Sequence, residues 1–306
     1  MSPTGTSTPS IETPNPQAEP PAWWVRLLAA APLWALYGFA SFLAWLAWRV
    51  FPYRPHVVRE NLTKAFPDMD ERALRETMRN YYRGFADVLV ETIKASSISG
   101  EDLSRRVTMV GVEPMREILA SGTSVIVLAA HQCNWEWMLQ KVGLDLGYPV
   151  DAAYKPLINP WAEREMLKLR TRFGVRMVPA QHLLTDILKR GKVPRAIALL
   201  ADQEPKTAER NYWTRFLNRD TAFYVGPEEI AKVTRYPVFF VGMKRLARGR
   251  YELRFTQLSN GKDRLEPGVL IERYARQVEA QIQLDRADWP WSHKRWKLKR
   301  SLYGKS

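Results

Sequence analysis

The sequence lacks the residues and spacings that define several common catalytic and cofactor-binding sites. Cys133 is the only cysteine among 306 residues, which excludes an internal disulfide and a zinc site built from several cysteines. No Gly-x-x-x-x-Gly-Lys loop is present, and no Gly-x-Gly-x-x-Gly follows a strand-like segment. A Gly-x-Ser-x-Gly elbow is also missing, which argues against an enzyme-bound serine ester. We therefore expect no cofactor.

Acidic residues are scarce relative to basic ones. The chain has 46 Lys and Arg against 32 Asp and Glu, a formal net charge of +14. This excess indicates an anionic partner: nucleic acid, a membrane surface or acidic small molecules. The sequence contains no recognisable nucleic-acid-binding module, whereas its 12 tryptophans are typical of proteins that contact a membrane interface. A membrane therefore explains the charge better than nucleic acid does.

The N-terminal part of the chain consists of a polar segment followed by an apolar one. Residues 1–22 are rich in Pro, Ser and Thr and contain no Lys or Arg, which predicts a disordered tail. From Leu27 to Trp48 no residue is charged, and these 22 residues would extend about 33 Å as a helix. Because the hydrocarbon layer of a membrane is roughly 30 Å thick, we predict a transmembrane anchor over residues 23–52. A buried core helix is the alternative.

Basic residues are concentrated after this apolar segment. Arg26 alone precedes it. The basic residues that follow it are Arg49, Arg54, Arg59 and Lys64. The positive-inside rule then places residues 53–306 in the cytoplasm. Because this part shows no repeat and no interior linker, we predict one catalytic domain behind a single membrane span.

After two predicted helices, Pro55–Phe66 and Glu71–Ala95, the pattern changes to short apolar runs that alternate with amphipathic segments. The predicted strands are Val107–Val110, Val125–Ala130, Val150–Tyr154, Val175–Val178, Ala196–Ala201, Val238–Met243 and Tyr251–Thr256. Strands that alternate with helices favour an α/β fold with a mostly parallel mixed sheet flanked by helices. The last two strands predict a hairpin at one edge of the sheet.

The strongest candidate for a catalytic group ends the strand Val125–Ala130. His131 follows this strand, and Asn134 is placed to cap a helix that carries Glu136. Ligands of open α/β sheets bind at the carboxyl ends of the strands, where a neutral imidazole can take a proton and a carboxylate can orient it. An ordinary histidine beside a helix cap is the alternative. A metal site of His131, Cys133 and Glu136 would lack the second spaced group of ligands found in most zinc sites.

Other charged residues are predicted to lie at the same edge. Asp202 follows the strand Ala196–Ala201 and would emerge beside His131 if the two strands run parallel. Lys155 ends another strand, and Arg170 lies in the next predicted helix. Such cations can bind phosphate groups: Arg acts as a bidentate hydrogen-bond donor and Lys as a point charge.

The C-terminal segment interleaves aromatic and basic residues. Trp291 and Trp296 alternate with Lys294, Arg295 and Lys297. This mixture favours contact with an anionic membrane surface. The alternative is an ordinary chain end that its tryptophans hold in place.

A series of short motifs runs through residues 25–300. They are Asn61-Leu62-Thr63-Lys64-Ala65-Phe66-Pro67, His131 with Asn134-Trp135-Glu136, Tyr154-Lys155-Pro156 with Asn159-Pro160, Arg170-x-x-Phe173-Gly174, Asp202-Gln203, Phe216-Leu217 with Thr221 through Gly226, and Trp291-x-His293-Lys294-Arg295-Trp296-Lys297. In this order the chain resembles the bacterial lipid A late acyltransferases, the lauroyl and myristoyl transferases of the lysophospholipid acyltransferase superfamily.

The resemblance implies a glycerolipid acyltransferase-like fold and a membrane-bound O-acyltransferase of the bacterial inner membrane. Such an enzyme moves a fatty acyl chain from an acyl carrier protein thioester to a hydroxyl group of an anionic lipid A-type glycolipid. The resemblance further implies that His131 is the general base and Glu136 its partner. The implied substrate-binding residues are Asn134, Lys155, Arg170, Asp202 and Gln203.

Two departures from the family pattern lie near the predicted site. Gln132-Cys133 stands where Phe-Gly or Tyr-Gly is common, and the segment after Asp202-Gln203 is unlike the usual Gly-containing form. An aryl polyene or another membrane lipid is therefore an alternative acceptor. A non-catalytic protein that binds a membrane surface is a second alternative.

Overall fold

A computed structural model describes residues 23–51, 53–206, 210–263 and 265–299. The tail predicted over residues 1–22 lies outside these ranges. Within them, an α/β domain follows a pair of N-terminal helices.

The apolar N-terminal segment forms two helices rather than one. Helix α1 spans Trp23–Ala30 and helix α2 spans Leu33–Arg49, with a bend of 108° at the break between them. Pro32 is the N-cap of α2 and disfavours helical geometry in Ala31, so α1 cannot continue into α2 as one helix. No single helix of the described chain is long and apolar enough to cross a membrane, although the bent pair meets that criterion together. The single transmembrane helix predicted over residues 23–52 is therefore not confirmed.

One face of α2 is packed on the domain. Helices α3 (Pro55–Ala65), α4 (Glu71–Ala95) and α5 (Gly100–Arg106) follow it. Leu33, Leu36, Ala40 and Ala44 of α2 are buried in the same apolar cluster as Ala86 and Val90 of α4. The Tyr37 hydroxyl also donates a hydrogen bond of 2.7 Å to Glu91 of α4. The first predicted helix of this region ends one residue early, and the second is confirmed in full.

The rest of the chain alternates strands and helices. The strands are β1 (Val107–Val110), β2 (Val125–Ala129), β3 (Val150–Tyr154), β4 (Val175–Pro179), β5 (Ala196–Leu200), β6 (Asn211–Phe216), β7 (Arg219–Tyr224), β8 (Val238–Ala247) and β9 (Arg250–Ser259). The helices are α6 (Glu113–Ala120), α7 (Trp135–Asp145), α8 (Pro160–Thr171), α9 (Leu183–Lys189), α10 (Gly226–Thr234) and α11 (Val269–Leu284). Seven strands form one sheet in the order β1-β9-β8-β2-β5-β3-β4, and β8–β9 is its one antiparallel pair. The predicted mostly parallel sheet is confirmed.

Strand β2 lies in the centre of this sheet and is buried on both faces. Val125, Val127 and Ala129 belong to one apolar cluster, whereas Ile126 and Leu128 belong to the other. This alternation places helices on both sides of β2, as its continuous apolar run predicts. The residue that follows β2 therefore emerges from the middle of the sheet edge.

One prediction about the strands is wrong, and one pair of strands was missed. The β8–β9 hairpin does not form an edge, because β1 pairs in parallel with the outer side of β9. The antiparallel pair β6–β7 was not predicted at all. Its turn places Leu217 and Asn218 at φ 49° and 60°. Turns of this kind favour Asn-Gly or Asp-Gly, so a leucine there hides the hairpin from sequence analysis.

Candidate active site

His131 and Asp202 meet at the carboxyl end of the sheet. Strands β2 and β5 pair in parallel with Ala129 opposite Leu200, so the residues that follow them emerge side by side. Nδ1 of His131 lies 2.7 Å from Oδ1 of Asp202, and the backbone N–H of His131 donates to both carboxylate oxygens at 3.1 Å. The predicted convergence of these two residues is confirmed.

The surroundings of Asp202 keep its carboxylate ionised. Burial by itself would raise the pKa of Asp202, but the charge and hydrogen bonds of His131 and the Trp289 indole hold that pKa below its ordinary value. An ionised carboxylate can only accept, so Nδ1 of His131 carries the proton of the shared hydrogen bond. Nε2 is then the basic nitrogen, and Asp202 stabilises the imidazolium that forms when Nε2 takes a proton.

Gln203 lies on the basic side of the imidazole. Its Nε2 atom is 3.2 Å from Nε2 of His131, and the residue is exposed. Because Nε2 of His131 is an acceptor in this tautomer, the Gln203 amide donates to it. The amide thus occupies the position from which a substrate hydroxyl group would donate.

Glu136 is not the carboxylate that contacts His131. It accepts from Nη2 of Arg170 at 2.6 Å and from Nε at 2.9 Å, a two-pronged ion pair between the start of α7 and the end of α8. The Glu136 side chain is 4% exposed and that of Arg170 is 21% exposed. The expectation that Glu136 orients His131 is therefore corrected: Asp202 contacts Nδ1, and Glu136 pairs with Arg170.

Two other predicted substrate-binding residues form no hydrogen bond with His131 or Asp202 in the described structure. Asn134 is fully buried; it caps α7 by accepting from Trp137 N at 2.9 Å, and its amide donates to Glu91 at 2.8 Å. Its side chain thus fixes the start of the helix behind the site. Lys155 is exposed beyond β3 and forms no side-chain hydrogen bond or ion pair with the described residues.

The segment that contains Trp289 and Arg295 donates hydrogen bonds to Asp202, although sequence analysis did not assign it to the site. The Trp289 indole donates to Oδ2 of Asp202 at 3.1 Å, and Nε of Arg295 donates to the Asp202 carbonyl at 2.6 Å. Both side chains are buried, as is Trp291. The interpretation of this Trp- and Lys-rich segment as a membrane contact is wrong for Trp291 and Arg295, because their side chains are buried inside the domain. The repeated tryptophans of this segment were the feature of the sequence that could have indicated its burial beside the site.

Cys133 connects the same segment to the loop between β2 and α7, residues 130–134, which we call the catalytic loop. Its backbone N–H donates to the Asp288 carbonyl at 2.9 Å, and its thiol donates to Oδ2 of Asp288 at 3.1 Å. Its φ of 51° is a left-handed conformation that favours glycine. Cys133 and Glu136 thus bind different partners, Asp288 and Arg170, which contradicts a metal site made from them and His131.

A small cavity of about 40 Å³ opens beside His131. It lies between α4, the catalytic loop and the segment around Trp289, and most of its lining is apolar. The lining residues are Tyr81, Gly84, Phe85, Val88, His131, Cys133, Trp135, Ala287, Asp288, Trp289 and Pro290. A base beside an apolar cleft can deprotonate a hydroxyl group while an alkyl chain packs next to it.

Comparison with known proteins supports the family resemblance that the motif series indicates. Residues 22–298 match a family model described as bacterial lipid A biosynthesis acyltransferase. The chain is 24% identical over 183 residues to the lipid A biosynthesis lauroyltransferase of Escherichia coli, which covers 56% of this chain and 59% of that protein. It is 23% identical over 227 residues to the lipid A biosynthesis acyltransferase of Haemophilus influenzae, covering 73% of this chain and 68% of that protein. The first alignment thus spans less than two thirds of the relative's own length.

Proposed function

Because the chain belongs to the bacterial lipid A biosynthesis acyltransferase family, we propose that it transfers a fatty acyl chain from an acyl carrier protein thioester to a hydroxyl group of a lipid A-type glycolipid precursor. The observation that carries this proposal is the hydrogen bond of 2.7 Å between His131 and Asp202 beside an apolar cavity. A base that a carboxylate orients is what direct attack by a hydroxyl group requires.

The reaction begins when the acceptor hydroxyl displaces the Gln203 amide and donates to Nε2 of His131. As Nε2 takes the proton, the hydroxyl oxygen attacks the thioester carbonyl carbon and forms a tetrahedral intermediate. Collapse of the intermediate breaks the C–S bond, and the imidazolium returns the proton to the leaving thiolate. Asp202 stabilises the imidazolium throughout. The products are the acylated acceptor and the free thiol of the carrier.

Arg170 is the substrate-binding cation in this scheme. Glu136 engages its Nε and Nη2 atoms, so the planar guanidinium is held in one orientation and Nη1 is the donor left for a substrate oxygen. Glu136 then acts by positioning Arg170 rather than His131. Lys155, exposed beyond β3, is a second cation that an anionic acceptor can reach.

We further propose that α1 and α2 attach the protein to the bacterial inner membrane, with residues 53–306 on the cytoplasmic side. The face of these helices opposite α4 is apolar and exposed: Trp34 is 78% exposed and Trp45 is 54% exposed. The hydrogen bond of Tyr37 and the buried face of α2 attach this helix pair to the domain. Trp and Phe side chains on such a face insert at the headgroup boundary.

An in vitro reaction tests the proposed activity. The full-length protein is incubated with acyl-loaded acyl carrier protein and a lipid A precursor, and the lipids are analysed by mass spectrometry. We expect a product heavier by one acyl group. If only another membrane lipid or an aryl polyene gains the acyl group, the acceptor is wrong; if no lipid gains it, the proposed activity is wrong.

Membrane attachment is tested with substitutions on the exposed face. Trp34→Glu combined with Trp45→Glu should shift the protein from the membrane fraction to the soluble fraction or lower its affinity for vesicles. Val233→Glu is the control, because Val233 is exposed on α10, away from these helices. Equal membrane binding by both variants would contradict the proposal.

A further inference from the structure

A second, larger cavity lies next to the one beside His131. Its volume is about 260 Å³, and it is bounded by α4, the tip of the β8–β9 hairpin and the segment that follows α11. We call it the arginine cavity. Its lining residues are Asn80, Arg83, Gly84, Asp87, Arg245, Arg248, Asp285, Ala287 and Asp288.

The two cavities share one boundary. Gly84, Ala287 and Asp288 line both of them. A β-carbon at Gly84 would lie 3.2 Å from Oδ1 of Asp288 and 3.5 Å from Nη2 of Arg245. The absence of a side chain at this position lets Asp288 and Arg245 approach α4. The two cavities are therefore adjacent, with Gly84, Ala287 and Asp288 between them.

Two of the three arginines that line the arginine cavity are paired with carboxylates, whereas the third is not. Arg245 is paired with Asp288 at 2.8 Å, and Arg248 is paired with Asp87. Arg83 is exposed on α4 and forms no ion pair or hydrogen bond with the described residues. A guanidinium group without a protein partner beside a catalytic cleft is suited to an anionic substituent such as phosphate.

The other lining groups suit hydroxyl groups. The Asn80 amide can donate and accept, and the Asp285 carboxyl group accepts from alcohol donors. The hydroxyl groups of a sugar ring need such donors and acceptors around them, whereas two of the three aspartates of the lining are already paired with arginines. The lining therefore fits a saccharide that carries one anionic group better than it fits a free anion.

We propose that the arginine cavity binds the saccharide headgroup of the acyl acceptor, with Arg83 contacting an anionic substituent of that headgroup. This inference rests on the proposed acyl transfer to a glycolipid. It assigns the acceptor to the side of α4 that carries Arg83.

The test compares Arg83→Ala with Arg79→Ala in the full-length protein. Both arginines are exposed on α4, but Arg79 lines neither cavity. With a phosphorylated lipid A precursor, Arg83→Ala should raise the acceptor KM about tenfold or more, the usual effect of losing one charged hydrogen bond. The donor KM and kcat should stay near the wild-type values, and Arg79→Ala should behave as wild type.

A dephosphorylated acceptor gives the matched chemical control. The difference between Arg83→Ala and wild type should disappear with this acceptor, because the contact that Arg83 makes is then already absent. If Arg83→Ala matches Arg79→Ala with both acceptors, or raises the donor KM instead, the assignment of the cavity is overturned.

Direct binding separates this inference from the proposed activity. A fluorescent phosphorylated glycolipid is titrated with full-length wild type, Arg83→Ala and Arg79→Ala in detergent, without a donor. If only Arg83→Ala binds the glycolipid more weakly than wild type, the assignment of the cavity to the headgroup is supported even if no acyl transfer is seen. Equal binding by all three proteins overturns it even if wild type is an active acyltransferase.

Discussion

Oδ1 of Asp202 lies 2.7 Å from Nδ1 of His131, although the two residues are 71 positions apart in the sequence. Parallel pairing of β2 and β5 brings them together, and Trp289 holds the second oxygen of the carboxylate. The imidazole is thereby fixed in one orientation with Nε2 directed away from the carboxylate. This arrangement gives a base for a substrate hydroxyl group.

The first prediction concerns stability and pH. The folded protein holds the pKa of Asp202 below that of an unfolded aspartate, which is about 3.9. Asp202 thus contributes stability above about pH 4, and this contribution is lost as the pH falls through the folded-state pKa. Asp202→Asn should lower Tm at neutral pH, and its difference from wild type should shrink in acid. Asp220→Asn, at an exposed position, is the control. A difference in Tm that is constant from neutral to acidic pH would contradict this.

The second prediction concerns the Glu136–Arg170 ion pair. Removal of either charge leaves its largely buried partner without compensation, so Glu136→Gln and Arg170→Gln should each lower stability and raise the acceptor KM. The double variant should lose less than the sum of the two, with a coupling free energy of about 1–3 kcal/mol. Urea unfolding and acceptor kinetics measure this cycle. Strictly additive effects would mean that the two residues act independently.

The third prediction concerns the indole of Trp289. Trp289→Phe keeps the aromatic ring but removes the donor to Asp202, so kcat should fall about tenfold while both KM values stay unchanged. Trp213→Phe on β6 serves as the control. A purely structural role for Trp289 would lower Tm and leave kcat per folded molecule unaltered.

The fourth prediction concerns the thiol of Cys133. Burial raises the pKa of Cys133 well above that of a free thiol, and Asp288 raises it further. A thiol reagent should therefore label the native protein very slowly at neutral pH and label it rapidly in denaturant. Rapid labelling of the native protein would show that the catalytic loop opens or that Cys133 is not buried.

Most of the parallel sheet and the position of His131 beside Asp202 could be predicted from the sequence. Buried apolar runs reveal strands, and parallel strands bring the residues after them to one edge, which was sufficient to place His131 beside Asp202. The spacing between His131 and Glu136 suggested the wrong carboxylate. Spacing shows that two residues are close along the chain but not which way their side chains point. Here the left-handed conformation of Cys133 and the start of α7 direct Glu136 to Arg170.

The remaining features depend on contacts between distant parts of the chain. Trp289 reaches Asp202 across 87 positions, and no local pattern encodes that hydrogen bond. The N-terminal segment has the composition of a membrane span, but Pro32 divides it and α4 covers one face of α2. Composition and length detect apolar character without showing what packs against it.

The central claim is that His131 is the base of an acyl transfer. The most direct measurement is kcat for acyl transfer from acyl carrier protein to a lipid A precursor by His131→Ala, with His182→Ala as the control because His182 is exposed and its imidazole contacts Gln181 rather than a carboxylate. We predict that His131→Ala loses activity by about 10²–10⁴-fold, the usual contribution of a general base, while His182→Ala keeps wild-type turnover. Near-normal turnover by His131→Ala would contradict the account.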